Sequence, residues 1–280
     1  MIARAWTIGR MATAIGNETL KGLRHGWGER MQILIEMPLF AIFILLLAYT
    51  VGQGTAIAER GQIDWTIDPR HATWLFIGLA TFTYTYLHLQ KMFWRLLAEI
   101  QSGTLEQTYL SPLPFWVHVV GGRVVAAIAE TAIVVAVTFG VTSLVVRLNL
   151  HWGLDTLLPL ALLIVGAAGL ALIVAGITLI WKRIQMLNDL VLMAVFFFSG
   201  AVLPPAETPG WAEAVGTPLF MTHAVAGLRT VMLNGDSLAW AGTGGLTWML
   251  GTAVAWFAAG LLVFRFCERI ARRHGSLSQF

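Results

Sequence analysis

Runs of about twenty apolar residues recur along this 280-residue chain, and they leave it few folds to choose from. Six are read, at residues 31–51, 72–94, 117–146, 156–181, 186–203 and 243–264. Each is long enough to cross about 30 Å of hydrocarbon. Lipid offers no partner to an open backbone N–H or C=O group, so each run must be helical. Charged residues make up only 12% of the chain, against about 25% in a soluble domain. The expectation is an all-α membrane protein with one six-span domain at residues 31–264. A cytoplasmic amphipathic segment (1–30) precedes it and a cytoplasmic tail (265–280) follows.

Orientation follows from the basic residues. With the N-terminus inside, 14 Lys and Arg residues fall on the inner side. Only Arg60, Arg70, Arg147 and Arg229 fall outside. The positive-inside rule then puts both termini in the cytoplasm. It also accounts for the net charge of +3 without a nucleic-acid partner. No apolar stretch precedes Met31, so the first span is expected to target the chain. Cys267 is the single cysteine, which excludes an intrachain disulfide.

Residues 2–30 mix Trp6, Ile8, Ile15, Leu20 and Leu23 with Arg10, Lys21 and Arg24, the pattern of a helix lying at the inner interface. Small residues mark the fourth span (Gly166, Gly169, Ala171, Ala175, Gly176) and recur four apart in the sixth (Gly251, Ala255, Ala259). Such rows let helices approach closely. Glu36 and Glu130 are ionisable residues inside spans, where charge is costly and therefore a candidate for function. Glu130 is a candidate for the transport path, or for a bond within the bundle; it lies two turns beyond Arg123 on about the same face.

Between the second and third spans lies a compact polar island at residues 99–113, EIQSGTLEQTYLSPL. Ser102 and Gly103 break the preceding helix. Thr104 fits an N-cap with Gln107 at the capping-box spacing, and Glu106 puts negative charge in the first turn. Ser111 and Pro112 end the element. The residues predict a stiff helix of about two turns, 104–110. A docking element and a plain capped turn both fit that description.

The run SGTLEQTYLSPLP resembles the segment after the second span in the ABC-2 family of transport permeases, through Gly103, Thr104, Leu105, Glu106, Gln107, Ser111 and Pro112. In that family the segment forms the coupling helix that docks on the ATPase. The resemblance extends that role to Tyr109 and Leu110. The stretch 199–235 is similar to the family's segment between its last two spans, through Ser199, Gly200, Pro204, Pro209, Trp211, Pro218, His223, Ala224 and Arg229. There the family forms short re-entrant helices near the outer mouth, so Gly200, Pro204, Pro209, Trp211, Pro218 and Arg229 are expected in an extracellular gate region.

The resemblance implies an exporter of an amphipathic drug, lipid or glycan in the bacterial cytoplasmic membrane. It implies two permease subunits, alike or different, two copies of an ABC ATPase subunit, and surrounding lipid. ATP and Mg would sit on the ATPase. None of the three lysines, Lys21, Lys91 and Lys182, follows a glycine, so this chain carries no P-loop lysine. The seven histidines form no metal-ligand spacing and no nucleophile elbow occurs, so no catalytic, metal or cofactor residues are expected. Two rival readings are a gradient-driven secondary transporter, which needs more intramembrane charge and usually internal repeats, and a lipid-modifying enzyme, which needs a polar cluster at one face.

Overall fold

The structure, a computed structural model, describes residues 8–28, 42, 46, 49–50, 69–110, 117–145, 148–181, 184–204, 208–237 and 242–274. Among them are helices and no strands. In chain order come α1 (Ile8–Gly28), α2 (Pro69–Gln101) and the short α3 (Thr104–Tyr109). A π-helical segment (Val117–Val124) runs into α4 (Val125–Val145), and a 3-10 turn (Leu154–Thr156) leads into α5 (Leu157–Ile180). Then follow α6 (Gln185–Phe198), α7 (Gly210–Gly216), α8 (Phe220–Met232) and α9 (Gly242–His274).

Three stretches are long and apolar enough to cross a membrane: Val117–Ser143, Leu154–Ile180 and Gly245–Arg273. They fall on the third, fourth and sixth expected spans. The first expected span, with Glu36, lies outside the described residues except for Ile42, Leu46, Tyr49 and Thr50. The second falls within α2, whose 33 residues extend about 50 Å. α2 runs past residue 94 to Gln101, and those last turns carry Arg95 and Glu99. The fifth is shorter than expected. α6 stops at Phe198, where Gly200 takes a left-handed φ of 75° and turns the chain. Its 14 residues reach about 21 Å, less than the hydrocarbon thickness. The last helix continues beyond residue 264 to His274.

α5 is the axis of the bundle. It is apolar on every side, which suits a helix surrounded by others. It packs on α2, α8 and α9. The small-residue row on α5 makes these contacts possible. Gly166 lies under Phe220 and Gly176 under Phe264. At the α5–α9 crossing a Cβ on Gly169 would stand 2.5 Å from the Phe257 nitrogen. The matching row on α9 is not the one expected. Gly251 and Ala255 are exposed and Gly251 faces open space. The seam uses Ala253, Gly260 and Phe264 instead. At Gly176 it is the backbone of Phe264 that rests in the space glycine leaves on α5, so the two helices approach backbone to backbone.

Candidate functional site

The polar island and the second resembling stretch lie toward opposite ends of α2. The near end is where α2 meets α3. Gly103, at φ 69°, ends α2, with Ser102 N–H donating to the Ala98 carbonyl at 2.9 Å and Gly103 N–H to that of Ile100 at 3.2 Å. A Cβ there would meet nothing within 4 Å, so glycine serves the backbone angle and not the space. α3 follows at once and ends at Tyr109, one residue short of the expected 110. Thr104 is the first helical residue and not the residue before it. Its hydroxyl lies 2.9 Å from that of Ser102 and 3.5 Å from the Glu99 carbonyl, tying α3 back to the end of α2. Leu105 is fully buried in one cluster with Leu96, Leu97 and Ile100. Leu110 is 84% exposed. The side chains of Glu106, Gln107 and Tyr109, and residues Ser111 and Pro112, lie outside the described part.

Just before this hinge one face of α2 is charged and largely buried. Lys91, Arg95 and Glu99 recur four apart, which places them along one side of the helix. Glu130 of α4 accepts a hydrogen bond from Arg95 Nη2 at 2.8 Å and lies 3.3 Å from Lys91 Nζ. Arg123, in the π-helical segment, pairs with Glu99. Glu130 and Arg123 do look the same way, as the sequence suggests, but each takes its own partner on α2. Both are 4% exposed, so Glu130 serves as a buried strut between α2 and α4 in this conformation. The sequence signal for Lys91, Arg95 and Glu99 was their spacing; counted only as inner-side charges, they escape notice.

α1 closes over this cluster. It packs on the π-helical segment and on α4. A Cβ on Gly22 would lie 2.6 Å from Glu130 Oε1 and 2.7 Å from the Ala126 Cβ. Ile15 and Glu18 fill the space left by Gly121 and Gly122. Glu18 Oε1 stands 3.9 Å from His118 Nδ1. Ile15, Glu18 and Gly22 share one helical face, so the amphipathic helix buries that face against protein.

The far end gathers the second resembling stretch. Pro209 precedes α7, and the Ala212 N–H donates to its carbonyl at 2.8 Å. Trp211 is mostly exposed and meets Phe198 edge-on at 5.8 Å. The Pro218 carbonyl accepts from Trp256 Nε1 at 2.8 Å, tying the α7–α8 turn to α9. His223 Nε2 lies 2.8 Å from the Thr217 carbonyl. A cleft of about 190 Å³ opens here, lined by Phe198, Gly200, Leu203, Ala212, Thr217 and His223. Pro204 lies beside it, half-buried in the turn after α6.

Arg229 of α8 organises this end. Its Nη1 donates to the Gly200 carbonyl and its Nη2 to that of Ala201, each at 2.8 Å. Its Nε donates to the Trp74 carbonyl at 3.2 Å, and its Cζ lies 3.4 Å from the centroid of the Trp74 ring. Gly78 faces the same junction, where a Cβ would collide with the Ala201 carbonyl. The Trp74 ring therefore carries a guanidinium. Neither Trp74 nor Gly78 has a local sequence signal for this; only tertiary packing brings them to Arg229.

No cluster of three or more metal-ligating side chains occurs among the described residues. The geometry is that of joints and struts. No curated protein matches the chain. The family model described as ABC-2 type transporter matches residues 19–233, a range that contains the near-end hinge, the charged strut and the Arg229 junction. The chain therefore belongs to the ABC-2 type transporter family, as a multi-pass, all-helical membrane permease.

Proposed function

We propose that this protein is the transmembrane subunit of an ATP-driven exporter that moves an amphipathic drug, lipid or glycan out across the bacterial cytoplasmic membrane. Two six-span permease subunits, identical or related, would enclose the path, with two ATPase subunits beneath and both termini on their side. The observation that supports this most is the construction of the near end. α3 is a short element with its root, Leu105, locked in the core, and Leu110, just past its end, is exposed. A strut of paired charges stiffens α2 just before it.

In this reading α3 is the coupling helix, and Gly103, Thr104, Leu105, Glu106, Gln107, Tyr109 and Leu110 form the surface and hinge that receive the ATPase. ATP and Mg act on that partner, and this chain performs no covalent chemistry. Closure of the ATPase pair displaces α3. Rigid α2 carries the displacement about 40 Å, from Gln101 to Trp74. Gly200, Pro204, Pro209, Trp211, Pro218 and Arg229 then belong to the mouth that opens.

The test uses the Glu106→Arg variant with its partners in proteoliposomes. Transport and substrate-stimulated ATP hydrolysis are expected to fall together while membrane insertion stays normal. Unchanged coupled activity would remove Glu106 from the docking surface. A gradient-driven transporter is the second reading, and Lys91, Arg95, Glu99, Arg123 and Glu130 are the buried charges it would use. Transport that survives ATP depletion at a clamped ion gradient would select it.

A further inference from the structure

The Arg229 junction differs from the other buried charges in what it holds. Its contacts are three backbone carbonyls and one aromatic ring, from two separate parts of the fold besides its own helix. Among the described residues no carboxylate pairs with it. Lys91, Arg95 and Arg123, by contrast, each sit against a carboxylate.

The receptor for the guanidinium is built into the backbone. Gly200 adopts a φ of 75° that a residue with a side chain rarely takes, and the turn presents two successive carbonyls to one planar fork. Gly78 leaves room for that turn to touch α2. Arg229 thus ties three elements, the first turns of α2, the turn after α6, and α8, with a single side chain.

Such a joint can be undone. Separating a carboxylate from a buried cation strands two charges in a poor solvent. Separating Arg229 from neutral carbonyls strands only the guanidinium itself and leaves no opposite charge behind. Arg229 and Trp74 each keep part of their surface exposed, so water can follow the guanidinium as the joint parts. A joint that closes with directional contacts and leaves a single charge for water to take up as it opens is suited to a moving mouth.

We propose that Arg229 is the latch of the far mouth: in the closed state it pins the Gly200–Ala201 turn to Trp74 of α2, and outward opening requires it to let go. This deepens the exporter reading and rests on it for the cause of opening, though not for the existence of the latch. Arg229 is a positioning residue, since nothing places it on substrate.

The test measures a distance. Spin labels go on exposed Pro69, at the start of α2, and exposed Leu203, in the turn after α6, with Cys267 replaced by serine. One labelled subunit is diluted among unlabelled ones in the complete transporter with its ATPase. Pulsed dipolar spectroscopy reads the spacing with and without a non-hydrolysable ATP analogue. Without nucleotide the native latch is expected to give a short distance. Arg229→Gln should raise the ratio of long to short distances by about tenfold, and Arg229→Lys should do so less, because an ammonium cannot reach three carbonyls and stack at once. Trp74→Leu keeps the backbone carbonyl and removes the ring; it carries the test if Arg229→Gln does not fold. A short distance retained in Trp74→Leu and in whichever Arg229 variants fold would overturn the latch. A wild-type transporter whose distance ignores nucleotide, with Arg229→Gln still lengthened, would uphold the latch and remove the ATP-driven reading instead.

Discussion

The two ends of α2 are fastened by opposite means. At the near end its Lys91, Arg95 and Glu99 meet Glu130 and Arg123 in ion pairs, under a lid formed by α1. At the far end a guanidinium meets carbonyls and an indole ring. The first arrangement resists parting, because pulling α2 from its neighbours separates opposite charges that are largely buried. The second parts with only the guanidinium to rehydrate. In the proposed exporter, a 33-residue helix held by ion pairs near its hinge and by neutral groups at its tip would act as a lever, with its load at the Arg229 junction.

The largest expected break in this contrast is Glu130→Ala. It removes the carboxylate that Lys91 and Arg95 share and should lower stability by about 3–5 kcal/mol, read by unfolding in detergent. Glu130→Gln should recover little, since the missing quantity is charge. A loss under about 1 kcal/mol would mean that the cluster is already hydrated and no strut. Next comes Gly78→Val, which wedges a side chain between α2 and the Ala201 carbonyl. About 1–3 kcal/mol is expected from overpacking, with the protease sensitivity of the turn at 199–204 raised and the near end unaffected. Equal loosening at both ends would show the two joints to be one cooperative unit. The smallest effect belongs to Gly103→Ala. The site is open, so only the left-handed backbone is penalised, by about 1 kcal/mol. Its readout is a drop in ATPase stimulation that exceeds any drop in stability.

Much of the lever was legible in the residues. Apolar length alone gives the third, fourth and sixth spans, because hydrocarbon thickness is an external ruler. Gly103 announces the hinge, since few residues other than glycine take its angle. Other features had no one-dimensional signal. The Gly251 row points outward because alanine and glycine are frequent on several faces of α9, and spacing cannot choose among them. α6 stops short of the expected fifth span, at a turn whose Gly200 carbonyl is held by Arg229, twenty-nine residues away in sequence. Lys91 and Arg95 obey the positive-inside rule and also pair with Glu130, and the rule accounts for them without revealing the pair. Fitting a charge to one cause hides the second.

The most direct measurement places a photo-activatable amino acid at exposed Leu110, next to α3, and in a second preparation at exposed Trp211, on α7. Both are irradiated in native membranes and the adducts are identified by mass spectrometry. The account predicts a P-loop ATPase crosslinked at Leu110 and absent at Trp211. An ATPase adduct at Trp211, or none at Leu110 while a neighbouring near-end position does capture one, would contradict the assignment of α3 as the element that receives the engine.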